Sequence, residues 1–308
     1  KEGPFVDPAI RRAISVAIDR RSMIDTIFFG YGTPATSALS SNFKATNLHA
    51  DMPNYPERGD KAAANAILDK AGYKRDGAGV RLKAVLDLIP SGEDFRRVGE
   101  YLQRDLGDIG IKLELRYEDV PTWLKRVYHR YDFQMNVNYF YQLQDPVLGV
   151  QRHYGTDQIR KGTHFVNSSR YSNFKLDYLL ESGANEKNLM QRSETYREIQ
   201  QILAEDMPVV NLFDLQFLVV HNTKLKGAFN SAMGPYSSFR EAWLGEAKGK
   251  RIVSASTSKP KVTSAALTAA EKEAERLRQR VAALEAEKAK QQQTIASDTQ
   301  IPLITITQ

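Results

Sequence analysis

Between residues 80 and 117 the hydrophobic period changes twice, and that change restricts the fold more than any other feature of the chain. Val80 to Leu88 sets Leu82, Ala84, Leu86 and Leu88 on one side of an extended segment. Phe95 to Ile109 then takes helical spacing and stops at Gly110. Ile111 to Tyr117 alternates Ile111, Leu113 and Leu115 against Lys112, Glu114 and Arg116, the pattern of a half-buried strand. Strand, helix and strand in this order form a β-α-β unit, which sets the class as α/β.

The flanking segments extend that unit. Asp7 to Phe29 carries Ile10, Ala13, Ile14, Ala17, Ile18 and Ile24 at helical spacing, with Asp7 as N-cap and Pro8 at the first helical position, and ends at Gly30. Ile10, Ile14 and Ile18 read as a core stripe, and Asp19 and Arg20 as surface charge. Thr33 to Ser41 reads as loop, and Lys61 to Lys70 as a helix closed by Gly72 in the left-handed cap position, with the following Tyr73 as its aromatic contact. Further on, the patterns predict a short helix over Thr122 to Tyr128, a strand over Phe133 to Tyr139, helices over Phe174 to Ser182 and Met190 to Glu205, and a strand over Val209 to Val220. Within that last segment Phe213, Leu215, Phe217 and Val219 make an apolar alternating stripe.

The chain changes character after Trp243. Residues 249–263 are rich in Lys, Ser and Thr, the composition of a solvated linker. Over 264–298 a seven-residue period appears in two registers, one through Leu267, Ala274 and Val281 and the other through Ala270, Leu277 and Leu284. Lys288 and Gln291 interrupt the seam, which leaves two readings: a single solvated helix, or a coiled coil that self-associates. Residues 299–308 form a tail.

Counting excludes several chemistries. With no cysteine in 308 residues, thiolate catalysis, disulfides and Cys-ligated metals are absent. The five histidines, His49, His129, His153, His164 and His221, are scattered with no metal-ligand spacing, and no phosphate loop or nucleophile elbow occurs, so no cofactor, metal or catalytic centre is expected. The net charge of +6 comes from 43 basic and 37 acidic residues interleaved rather than massed, which argues against nucleic acid as a partner. No run of 18 apolar residues exists to cross a membrane.

Six phrases carry a family resemblance: DPAIRRAISVAIDR at 7–20, GYGTPATSALS at 30–40, AILDKAGYKRDG at 66–77, YLQRDLGDIGIKLEL at 101–115, RYSNFKLDYLL at 170–180 and YREIQQILAEDMPVVNL at 196–212. In this order they resemble the second half of the extracytoplasmic solute-binding proteins of peptide transporters, the dipeptide and nickel class known as family 5. The resemblance covers roughly residues 4–244. It implies one lobe of a type II periplasmic-binding-protein fold over 1–210, a mixed sheet flanked by helices, with 211–248 returning to an N-terminal lobe that is missing here. It also implies a binding subunit rather than an enzyme, a peptide or related small solute as ligand, an ABC permease as membrane partner, and a periplasmic location whose signal segment is not in this chain.

In such proteins the ligand sits between two lobes, beyond the strand ends. The local candidates are therefore the residues leaving the strand at 133–139: Tyr139, Phe140 and Tyr141 as aromatic walls, with Gln142, Gln144 and Asp145 as polar groups. The resemblance implies an Asp at the position of Gln142, where peptide binders hold the ligand's α-ammonium group. It also implies an Arg near the end of the first long strand, yet LDLIPSGE at 86–93 has none, and Arg96 and Arg97 come later on the helix. Both departures point away from a short zwitterionic peptide and toward a longer or modified peptide, a sugar-like solute or an opine-like conjugate. Arg152 and Arg170 stand outside this set as candidate anion contacts.

Overall fold

The computed structural model describes residues 3–230 and 237–245, all within one compact unit, Lys1–Lys250. In chain order the helices are α1 (Pro8–Ala17), α2 (Arg20–Ile27), α3 (Lys61–Lys70), α4 (Glu93–Gly107), α5 (Val120–Leu124), α6 (Pro146–Tyr154), α7 (Phe174–Asn185) and α8 (Leu189–Asp206). The strands are β1 (Gly32–Pro34), β2 (Leu82–Leu88), β3 (Ile111–Arg116), β4 (Met135–Val137), β5 (Phe213–Leu215), β6 (Leu225–Lys226) and β7 (Trp243–Leu244). The linker, heptad segment and tail lie outside the described residues.

The β-α-β unit is the centre of the molecule. β2 pairs in parallel with β3, from Leu82 opposite Ile111 to Asp87 opposite Arg116, and in parallel with β4, from Leu86 opposite Met135 to Leu88 opposite Val137. The resulting order β3-β2-β4 brings the carboxyl ends of all three strands to one edge of the sheet. Ala84, Leu86, Leu88, Ile111 and Leu113 turn one face toward Val98, Leu102 and Leu106 of α4 and Ile10, Ile14 and Ala17 of α1, in one buried cluster. Gly99 makes the contact possible, since a Cβ there would lie 2.5 Å from Leu88 Cδ1. A smaller cluster of Ile89, Trp123, Val127, Tyr128 and Val166 lies beyond the end of β2.

The segment 7–29 forms two helices instead of one. Ile18 and Asp19 are extended, with ψ of 123° and 91°, and the polar groups of Asp19 find partners outside α1. Asp19 caps α2 by accepting the Ser22 N–H at 2.8 Å, and its own N–H donates to Asp105 Oδ2 of α4. The loop at 57–60 satisfies the opened backbone through Arg21 N–H to Glu57 O and Asp60 N–H to Val16 O. It approaches so closely that a Cβ on Gly59 would fall 2.3 Å from Ala17 O.

Arg20, read from sequence as surface charge, is fully buried. Its guanidinium donates to Ser15 O, Ser15 Oγ, Pro56 O and Asn211 O, binding the helix break to two distant loops. Burial pushes its pKa down to about 10, partly opposed by the Tyr55 ring it overlies at 5.3 Å.

Four other segments depart from expectation. β4 is shorter than 133–139 because Gln134 Oε1, rather than a backbone carbonyl, takes the Val85 N–H at 2.7 Å. The expected strand over 209–220 is regular only through Phe213–Leu215, antiparallel to β1, with one bond beyond it on each side, from Ala35 N–H to Leu212 O and from Gln216 N–H to Tyr31 O. Helix α5 continues into a π-helical turn over Lys125–Arg130, and α6 forms where no helix was expected. A second buried cluster joins α6, α7 and α8 to the loop at 38–48 through Leu39, Phe43, Val150, Leu180, Tyr196 and Ile199. The Gly72 cap, by contrast, agrees with expectation: its φ is 86°, and Tyr73 packs on the main core and donates to Asp7 Oδ2.

Candidate functional site

Because the three central strands are parallel, the loops that follow them (89–92, 117–119 and 138–145) leave from the same edge. Ligands in α/β sheets bind beyond such carboxyl ends, where the loops and the first turn of the crossover helix supply contacts. A shallow cavity of about 130 Å³ lies there between the first two loops, lined by Ile89, Pro90, Glu93, Arg96, Tyr117 and Glu118 among others. Arg96, which sequence order placed too far along, returns to the rim because α4 reverses direction after β2. Its guanidinium lies 4.8 Å over the Tyr117 ring and 3.7 Å from Glu100.

Beside this rim is a network of charges, of which Asp87 is buried and the others are partly or fully exposed. Arg126 grips Glu118 with two bonds of 2.6 and 2.8 Å and reaches Asp132 at 2.7 Å. The network holds the Glu118 carboxyl below its ordinary pKa, chiefly through the Arg126 hydrogen bonds. Asp87, near the end of β2, is 1% exposed, and neither of its oxygens has a hydrogen bond. Arg116 at 3.3 Å and Arg126 at 3.7 Å attract it without aligned bonds. Burial therefore dominates, and the Asp87 carboxyl is pushed up to about 6.

The six residues nominated from sequence separate into two groups. Tyr139 and Tyr141 meet edge to face at 6.0 Å and extend a row of rings: Phe95 of α4 lies 5.3 Å from Tyr139, and Tyr141 stacks on Phe217 at 6.0 Å with planes 24° apart. Phe140 turns the other way, its ring 3.8 Å from His153 of α6. His153 is buried, and burial, with Arg152 adding to it, lowers its pKa to about 3 and keeps the ring neutral. Gln142 clasps the 38–40 loop, its Nε2 donating to Ala38 O and its Oε1 accepting the Ser40 N–H, both at 2.8 Å. Asp145 caps α6 through the Val147 N–H and receives Arg192 Nη2 on both oxygens at 2.8 Å. Gln144 is exposed.

Local sequence explains this division. Asp145-Pro146 starts α6, and Gly149 allows the helix to press on the loop, since a Cβ there would lie 2.4 Å from Gln142 Cα. Gln142 and Asp145 thus hold the framework, while Tyr141 and Gln144 are exposed and Tyr139 is half-buried against the Trp123–Tyr128 cluster. Sequence reasoning did not nominate Phe95, Arg96, Tyr117, Glu118 or Phe217. For Tyr117 and Glu118 the signal was present as the end of a predicted strand, whereas Phe217 joins Tyr141 only through the fold. Arg170 overlies Tyr131 at 5.1 Å, away from this row. Among the described residues no cluster of His, Asp or Glu has the makings of a metal site, and no helix is long and apolar enough to cross a membrane.

Comparison with known proteins agrees with this architecture. Protein XP55 of Streptomyces lividans is 30% identical over 244 residues, and the glutathione-binding protein GsiB of Salmonella paratyphi A is 25% identical over 228. Each match takes in 73% of this chain and 42% of the relative, so the chain spans less than half the length of these proteins. The oligopeptide-binding protein AppA of Bacillus subtilis, solved with a nonapeptide, is similar in fold with a TM-score of 0.60 at 21% identity, over 78% of this chain and 48% of AppA. The model of the middle region of the bacterial extracellular solute-binding proteins, family 5, matches residues 1–159, just over half of the chain, and the chain belongs to that family.

Proposed function

We propose that this chain is the C-terminal half of an extracytoplasmic solute-binding subunit of an ABC importer, and that it holds a peptide or related small solute without chemical change. The observation that carries the reading is the common edge at which three parallel strands release an open cavity and a row of aromatic rings. The names of the relatives support it: one is a glutathione-binding protein, and another was solved with a nonapeptide. In this reading Tyr139 and Tyr141 contact the solute, Gln144 supplies a polar group at the rim, and Phe140, Gln142 and Asp145 fix the loop. A second lobe closes the cleft from the other side, a permease receives the solute, and the setting is periplasmic.

The return segment supports a two-lobe assembly. Phe213 and Leu215 pack on the main core, whereas Leu218 and Val220 are 63% and 96% exposed, apolar surface that a second lobe would cover. The experiment is to join the chain to an N-terminal half from a family member and follow thermal unfolding with candidate solutes. A solute at ~100 times its dissociation constant stabilises by roughly 2.7 kcal/mol. No shift with any peptide, sugar or conjugate would reject the reading. The heptad spacing over 264–298 favours a second reading, an oligomerising module; sedimentation with and without residues 249–308 separates them, because an unchanged monomer removes it.

A further inference from the structure

Two polar side chains of the loop after β4, Gln142 and Asp145, are occupied by the protein itself, and Gln144 is uncharged. Asp145, the one ionised side chain in 139–145, has both oxygens on Arg192. Gln142, at the place where the family resemblance implies an acid, already accepts the Ser40 N–H and donates to Ala38 O. An α-ammonium group arriving at Gln142 would find no free charge, only a neutral acceptor already in use, and so would lose the charge-assisted part of its binding. What the loop does present is apolar area. Tyr141 is 60% exposed and Phe217 63% exposed, and the two rings stack with planes 24° apart.

Such a pair offers apolar area that a flat, uncharged face can cover, and no carboxylate to pair with an ammonium group. Stacking on an aromatic ring favours a partner that gives up little hydration, as the C–H face of a pyranose or an unsubstituted aromatic ring does. From this we infer that the Tyr141–Phe217 platform is the specificity subsite for an uncharged ring on the solute, either a sugar ring or an aromatic side chain within a longer peptide. The inference rests on the proposed solute-binding reading and adds the class of ligand.

Saturation-transfer NMR on the full chain tests it, because the method detects the weak binding expected of half a cleft. Three probes at millimolar concentration separate the cases: cellobiose as a neutral pyranose, N-acetyl-phenylalaninamide as a neutral aromatic, and Ala-Ala as a zwitterion with no ring. Transfer to cellobiose or to N-acetyl-phenylalaninamide is expected, and which one responds identifies the source of the ring. Tyr141→Ala and Phe217→Ala should each weaken it by roughly threefold to tenfold, with Tyr141→Phe retaining it and circular dichroism confirming the fold of each variant. Transfer to Ala-Ala with none to either ring probe overturns the inference and leaves the solute-binding reading standing. Ring-probe transfer that survives Tyr141→Ala and Phe217→Ala places the subsite elsewhere and likewise overturns it. Silence from all three probes counts against both.

Discussion

Arg20 and Asp87 are both buried, both at the end of a regular element and both beside oppositely charged or polar groups, yet the fold treats them differently. Arg20 meets Ser15 O, Pro56 O and Asn211 O at hydrogen-bonding distance, so its burial is matched by directed bonds. Asp87 has two guanidinium groups nearby and no hydrogen bond to either oxygen. A directed bond offsets the loss of hydration in a way that mere proximity of charge does not, since a buried polar group without a partner costs about 1–3 kcal/mol. The first residue therefore ties the framework together at a helix break, while the second leaves unspent electrostatic tension beside the rim of the candidate site.

The largest effect expected from this contrast is at Arg20. Arg20→Met keeps much of the apolar stem but leaves three loop and helix carbonyls without their donor, and should lower unfolding free energy by about 3–5 kcal/mol in urea titration. Arg20→Lys should recover only part of that, since a single ammonium group lacks the fork that reaches residues 15, 56 and 211 together. If Arg20→Met unfolds at the parent's urea concentration, the carbonyl cage contributes nothing and the contrast with Asp87 is lost.

At Asp87 the sign is different. Its carboxyl sits at about 6 in the fold against an ordinary 3.8, so the folded state holds the proton more tightly than the unfolded chain. The associated stability is fully present below about pH 4 and is lost as pH rises through 6, a change of roughly 3 kcal/mol. Asp87→Asn should flatten the difference in stability between pH 4 and pH 6.5. His153, lowered to about 3, acts in the opposite sense, its stabilising contribution fading as pH falls below the ordinary histidine value of 6.5. The informative quantity is therefore the difference between the Asp87→Asn variant and the parent at each pH. A difference that stays constant from pH 4 to 6.5 would show that Asp87 titrates like an exposed acid.

Neither residue advertised its role in the sequence, and the reason is the same for both. Period and capping are local, so the strand at 82–88, the helix at 93–107 and the strand at 111–116 were legible from side-chain spacing within a few residues. Asp-initiated helices were also legible in principle: Asp7, Asp19, Asp60, Asp119 and Asp145 all cap by accepting a backbone N–H two or three residues on. Asp19 and Asp145 cap helices inside stretches where side-chain spacing predicts one continuous helix and no helix respectively, so the structure departs from expectation at 18–19 and at α6. Arg20, however, is fixed by carbonyls at positions 56 and 211, and the pairing of Tyr141 with Phe217 depends on the return of the chain beside β1. No spacing within a window reports such a meeting. The family resemblance implies the loop after β4 as the place of the solute; within it Phe140, Gln142 and Asp145 contact the protein's own framework, whereas Tyr141 is exposed.

Gln142 offers the smallest and most specific test, because it is an uncharged version of the Arg20 arrangement: a side chain whose polar atoms serve two backbone groups of another segment. Gln142→Leu removes the bond to Ala38 O and leaves the Ser40 N–H unpaired, an expected loss of about 1–2 kcal/mol. Gln142→Glu separates the two ends. Its carboxyl can still accept the Ser40 N–H, but once ionised it sets negative charge against Ala38 O where Nε2 had donated. The Glu variant should therefore approach the parent's stability in acid and fall below it as pH rises past the carboxyl range, with thermal melts at pH 4 and pH 7 as the measurement. Equal losses at both pH values would mean that the Ala38 contact does not matter and that the loop is held by Asp145, Arg192 and the Gly149 contact alone.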